Sequence, residues 1–165
     1  MLEKNRFEGD TVLIANPGEP SFTVTRTFNA PARFVYEAWT QPELMKRWYG
    51  NACMTLEVCE MDVRAGGAWR RVLTDKDGNR FGFYGTFTEV QPPHHMVFTE
   101  TFEPFPDHPS TVSVTLTEEG GKTFAKLVQL HDSVISRDAH IGSGMETGMR
   151  ETLDRLDAFL ASRPN

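Results

Sequence analysis

The segment Gly144 to Ser162, GMETGMRETLDRLDAFLAS, constrains the fold more than any other stretch of this 165-residue chain. Met145, Met149, Leu153, Leu156 and Leu160 recur at helical spacing, flanked by Thr152 and Phe159. At about 100° per residue they cover an arc of roughly 120°, one buried face. Glu146, Arg150, Glu151, Asp154 and Arg155 occupy the other side. Glu146–Arg150 and Glu151–Arg155 are acid-before-base pairs at helical spacing, each worth a few tenths of a kcal/mol. At about 1.5 Å per residue the helix is roughly 28 Å long and crosses a small domain. Gly142, Gly144 and Gly148 soften its start. Small residues there let the helix lie close to a sheet or leave room for a ligand. The plain reading of the stripe is packing alone.

The rest of the chain reads mostly as strands. Residues 1–20 form an N-terminal arm with Gly9, Pro17, Gly18 and Pro20, in which Val12-Leu13-Ile14 packs on the domain or pairs at a sheet edge. A single domain over residues 21–162 follows. Ser21 to Phe28 alternates, with Phe22, Val24 and Phe28 on one side. Asn29-Ala30-Pro31 opens a short helix, Asn29 as cap, whose apolar face is Phe34, Val35, Ala38 and Trp39. Pro42 to Trp48 is a second short helix, ended by Tyr49-Gly50. From Ala52 to Leu130 the chain reads as an antiparallel meander. Met54, Leu56 and Val58 share a face, and Asp75 to Asn79 is a hairpin loop. Strands cover 68–74, 80–90, 94–103, 111–117 and 122–130. The facing of the last strand is open, and residues 131–143 link to the long helix.

The order is therefore strand, two short helices, about six strands, long helix. A curved antiparallel sheet with one apolar face must cover that face. The terminal helix is the element long enough to do so. The predicted fold class is α+β, a helix-grip with six to seven strands around the C-terminal helix and a cavity between the two layers.

Composition narrows the function. Hydrophobic residues at 39% and charged residues at 24% fit a globular protein with a sizeable core. A net charge of −6 disfavours a nucleic-acid partner, which requires basic surface to neutralise phosphates. No apolar run is long enough for membrane insertion, and the first residues lack a signal-peptide core. Cytoplasmic localisation is the expectation. Cys53 and Cys59 on one strand sit too far apart for a disulfide, so both read as free thiols.

Four stretches together carry a resemblance. RTFNAPARFVYEAWTQPELMKRWYG (Arg26–Gly50), GGAWRRVL (Gly66–Leu73), FYGTFTEVQPP (Phe83–Pro93) and GMETGMRETLDRL (Gly144–Leu156) resemble the START-like, or SRPBCC, superfamily. Within it they resemble homologues of the activator of the heat-shock-protein-90 ATPase. The match runs over about residues 21–160 and implies the helix-grip fold. The superfamily includes lipid and hormone binders, aromatic-polyketide cyclases and oxygenase subunits, so it implies much less about activity. Arg71 stands where such proteins often carry an aromatic, and Gly148-Met149 where they often carry Gly-Trp.

Alternation nominates the site. Trp69, Arg71 and Leu73 share one side of their strand, and Met96, Phe98, Glu100 and Phe102 share one side of theirs. If both sides are concave, Arg71 and Glu100 are polar groups in an apolar cavity. They must then pair with each other, a ligand or water. Alternatively, a bulge between Gly66 and Gly85 shifts the register and turns one of them to solvent. Trp48, Tyr49, Phe83, Met145, Met149 and Leu153 complete the ligand-pocket candidates, and Trp39 reads as core. No histidine spacing matches a metal triad, and no phosphate or dinucleotide loop is present, so no metal or cofactor is expected. His131-Asp132 is the best acid–base couple by adjacency. Neighbours at a strand end point to opposite faces, which argues against it. Three readings remain: a small-molecule binding domain for an apolar or aromatic ligand; a cyclase- or hydrolase-type enzyme using Arg71 and Glu100; and a chaperone ATPase-activating module.

Overall fold

The computed structural model describes residues 11–163. Residues 1–10 of the expected arm lie outside them. The elements run β1 Val12–Ile14, β2 Ser21–Phe28, α1 Ala32–Thr40, α2 Pro42–Met45, β3 Met54–Met61, β4 Ala68–Asp75, β5 Arg80–Gln91, β6 His95–Phe102, β7 Ser110–Glu119, β8 Lys122–Leu130, α3 Val134–Gly142 and α4 Met145–Ser162. The strands form one antiparallel sheet in the order β1-β2-β8-β7-β6-β5-β4-β3. β2 pairs with β8 over its full length, so the first long strand closes against the last. The sheet has eight strands, because Val12–Ile14 joins it as an edge strand on β2.

The concave face carries the core. Phe22, Val24 and Phe28 of β2, Val112, Val114 and Leu116 of β7, and Ala125 and Leu127 of β8 are buried at alternate positions. The α4 stripe meets them through Leu153, Leu156 and Leu160, all buried. Each such leucine contributes about 1.5–3 kcal/mol of burial. Arg26 on β2, buried, donates to Asp154 at 2.6 Å and Asp157 at 3.3 Å and ties the helix to the strand. The closest approaches of α4 are to β2, α1 and α3 rather than to β4–β6.

Several local expectations are corrected. The α1 cap is not Asn29: the Ala32 N–H instead donates to Glu118 Oε1 of β7 at 2.8 Å. A bulge in β3 between Leu56 and Val58 breaks the simple alternation, so that Leu56 and Cys59 are buried and Val58 only half-buried. Residues 131–143 are not only a linker. They contain α3, capped by Ser133, whose hydroxyl accepts from the Ser136 N–H at 3.0 Å. Gly144, at φ 87°, then turns the chain into α4 with a backbone that other residues rarely adopt. Glu146 and Arg150 pair at 2.9 Å as expected. Glu151 and Arg155 do not pair with each other. Glu151 accepts from the Ala52 N–H at 2.7 Å, and Arg155 donates to the carbonyls of Gly50 and Asn51. Both side chains are spent on holding the loop after α2 against α4.

Candidate ligand-binding site

That loop begins at Tyr49, and holding it places Tyr49 over the sheet. Beneath it, register settles the facing of β4. Trp69, Arg71 and Leu73 pair with Gly85, Phe83 and Phe81 with no shift along β4 and β5. The bulge in β5 falls farther along, between Phe87 and Glu89. Arg71 therefore faces the core side and is 5% exposed. Its guanidinium lies 4.1 Å from the Trp69 ring and 4.9 Å from the Tyr49 ring, a cation held between two π faces. Nη1 contacts Met45 Sδ at 3.4 Å. Nε is buried without a hydrogen-bond partner, and Arg71 makes no ion pair among the described residues.

Gly85 is what lets these groups share a space. A Cβ there would stand 1.8 Å from the Thr99 carbonyl oxygen and 2.7 Å from Trp69 Nε1. The Trp69 indole occupies that room and donates to Thr99 O at 3.0 Å. Glu100 on β6 faces the same side. Its carboxylate accepts from Gln129 Nε2 of β8 at 3.1 Å, and Gln129 also donates to Ser110 Oγ of β7 at 2.8 Å. Burial raises the Glu100 carboxyl above its ordinary value, with the charge of Arg71 pulling the other way. Burial likewise raises the Tyr49 hydroxyl, and Arg71 again opposes it. Tyr49 and Glu100 are each half-buried. Phe83, Phe102, Met145 and Met149 are half-buried as well, and the Phe83 and Phe102 rings stack at 4.9 Å.

Beside Arg71 the core is nearly filled. The void among Trp39, Met61, Trp69, Arg71, Phe87, Met96 and Phe98 is about 10 Å³, at the lower limit for one water. Trp69 and Phe98 meet edge to face at 5.7 Å and wall it off. Trp48 and Leu153 keep no accessible surface. The Trp48 indole donates to Ala38 O at 3.1 Å. Trp39 is core, as expected, packed on Trp48 at 5.3 Å. An open groove of about 550 Å³ lies elsewhere, between Arg47, Arg155 and Phe159 on the outer face of α4. Its walls include no buried polar group that lacks a partner, so the chemistry favours the smaller, inner site.

The sequence reading missed part of this neighbourhood. Gln129 and Ser110 were not singled out, and His131 does not work with Asp132. His131 Nδ1 lies 3.3 Å from Pro20 O, and its Nε2 lies 3.0 Å from His140 Nδ1 of α3. Asp132 instead pairs with His108 at 2.7 Å. Because a carbonyl only accepts, His131 carries its proton on Nδ1 and accepts from His140. Burial depresses both imidazoles below their ordinary value. Cys53 is exposed and Cys59 buried, both free.

A long C-terminal helix on one face of this sheet order, entered through two short helices after the first long strand, is a pattern that can be compared with known proteins. The family described as "Activator of Hsp90 ATPase homolog 1-like protein" matches residues 29–161. The chain belongs to that family. Solved structures share the fold. A protein from Rhodobacter sphaeroides is 26% identical, with a TM-score of 0.83 over 91% of this chain and 99% of that one. Protein Ms6760 from Mycobacterium smegmatis is 25% identical, also at 0.83, over 94% and 99%. A protein from Arthrobacter aurescens is 26% identical at 0.77, over 93% of each chain. No curated protein sequence matches. For this member of the activator-homologue family, the helix-grip expected from periodicity, and START-like by resemblance, is the observed fold. No helix among the described residues is long and apolar enough to cross a membrane.

Proposed function

We propose that the chain is a binding domain for a small apolar or aromatic molecule. The ligand sits between the β4–β6 half of the sheet and the N-terminal half of α4. One observation carries this reading. Arg71 is buried between two aromatic rings with Nε unpartnered, across one strand from a deep Glu100 that retains accessible surface. An uncompensated buried charge costs stability and is most simply explained by a ligand that completes it. Tyr49, Trp69, Phe83, Phe98, Phe102, Met145 and Met149 supply the apolar surroundings. The test is native mass spectrometry of freshly purified protein. A reproducible small-molecule adduct in the wild type, absent in Arg71→Met, supports the reading. Identical adduct-free spectra together with no thermal shift against an aromatic panel remove it.

The same convergence favours an enzymatic second reading of cyclase or hydrolase type. Arg71 would stabilise a developing oxyanion, and Glu100 would give or take a proton. Turnover abolished by Glu100→Gln with binding retained separates the two readings. The name of the family raises a third partner, a chaperone ATPase. Stimulated ATP hydrolysis in a mixture with such a chaperone is its test. Two free thiols fit a reducing, cytoplasmic setting.

A further inference from the structure

The hydrogen bonds around Glu100 restrict which oxygen of its carboxyl can carry a proton. Ser110 Oγ has one proton and donates it to the Glu100 carbonyl at 3.2 Å. It must therefore accept from Gln129, which makes the nearby Gln129 atom the amide nitrogen, at 2.8 Å. The second N–H of that nitrogen reaches Glu100 Oε2 at 3.1 Å. Oε2 is thus an acceptor, and a proton on this carboxyl belongs on Oε1. Across β5, the guanidinium of Arg71 has among the described residues a thioether as its only hydrogen-bond partner, a weak acceptor, and its charge acts on Glu100 only at a distance.

We propose that the ligand is an aromatic carboxylate with a second oxygen: its carboxylate caps Arg71 between Trp69 and Tyr49, and its hydroxyl or carbonyl oxygen accepts a hydrogen bond from Glu100 Oε1. This rests on the pocket reading above and adds the ligand's charge and a proton count. A carboxylate on Arg71 cancels the field that draws the proton from Glu100 and adds a negative charge nearby. Solvent then supplies one proton to Oε1, and no other bond is made or broken. The groups facing Glu100 are Arg71 of β4, Ser110 of β7, Gln129 of β8, Tyr49 after α2, and His131 with His140 behind it. His131 is held neutral by burial and by its neighbour, so Arg71 is the charge that decides. The stacked Phe83 and Phe102 rings give the aromatic body a flat wall.

The experiment is isothermal titration calorimetry near neutral pH in two buffers of different ionisation enthalpy. The probes are para-hydroxycinnamate, its methyl ester, and cinnamate. Wild type, Arg71→Met and Glu100→Gln are compared after circular dichroism shows each folded. The acid is expected to bind at least about tenfold more tightly than its ester, as a charge-assisted bond requires. That advantage disappears in Arg71→Met. Removing the hydroxyl weakens binding. Proton uptake accompanies binding to the wild type and vanishes in Glu100→Gln. An ester that binds as well as the acid overturns the carboxylate assignment and leaves the pocket standing. Binding of the acid without proton uptake overturns the role of Glu100. No binding by any of the three overturns the ligand class, and with an adduct-free native mass spectrum it overturns the pocket as well.

Discussion

Replacing Arg71 with methionine keeps an unbranched side chain and removes a buried charge that forms no ion pair among the described residues. Such a replacement is often neutral or stabilising, by about 1–4 kcal/mol when a buried ionic group is exchanged for apolar volume. We expect Arg71→Met to unfold in urea no earlier than the wild type while losing its ligand. A clear loss of stability would mean that the guanidinium serves packing instead. Gly85→Ala tests the floor of the same space. Its Cβ would fall 1.8 Å from the Thr99 carbonyl oxygen, and overpacking of this kind costs about 1–3 kcal/mol. The urea midpoint should drop accordingly. An unchanged midpoint would show that Trp69 and β6 move aside freely. The alternation of WRRVL and MVFTETF put Arg71 and Glu100 each on one side of its strand but left their facing open, because a single bulge would turn either to solvent; the unshifted pairing of β4 with β5 is what decides it for Arg71. Gln129 was not legible. In KTFAKLVQL apolar residues fall on both faces, Phe124 and Val128 on one and Ala125 and Leu127 on the other, so periodicity cannot say which side looks inward.

Among the elements, α4 was readable almost to its first residue, since a five-residue apolar stripe and a glycine entry leave few alternatives. β3 was readable as a strand but not in its facing, because a bulge leaves no mark in composition. α3 was missed: Val134, Ile135 and a closing glycine are poor helix formers, and its one signal was the Ser133 cap. How α4 is attached could not be read at all, since Arg26 meets Asp154 and Asp157 across more than a hundred residues. Arg26→Met should cost about 1–3 kcal/mol in denaturant unfolding. The lower end is favoured because Asp154 is 67% exposed and remains hydrated when the arginine is gone. A change within error would mean that the leucine stripe alone seats the helix.

For the molecule as a whole, acid acts in two directions. His131 and His140 hold folded values below 6.5. The unfolded chain therefore takes up protons first, and stability falls as pH drops through about 6.5. Glu100 has the opposite sign. Its folded value lies above 4.5, so the stability from its neutral form is complete below that and is lost as pH rises through the folded value. Glu57, Asp75, Glu103 and Asp132 are held low, and their loss comes only in stronger acid. Urea midpoints measured from pH 7 to pH 5 should therefore fall more steeply in Glu100→Gln than in the wild type, and less steeply in His140→Gln. Parallel curves would exclude both assignments. The pairing of β2 with β8 has a consequence for how the protein comes into being. At about 5–20 residues per second of synthesis, β2 waits roughly 5–20 seconds for β8, the strand that covers its inner edge, with Phe22, Val24 and Phe28 already made and only the short β1 available beside it. The ladder that joins the first strands to the meander therefore forms only after most of the chain has been translated, and until then an unpaired strand edge is open to the wrong neighbour.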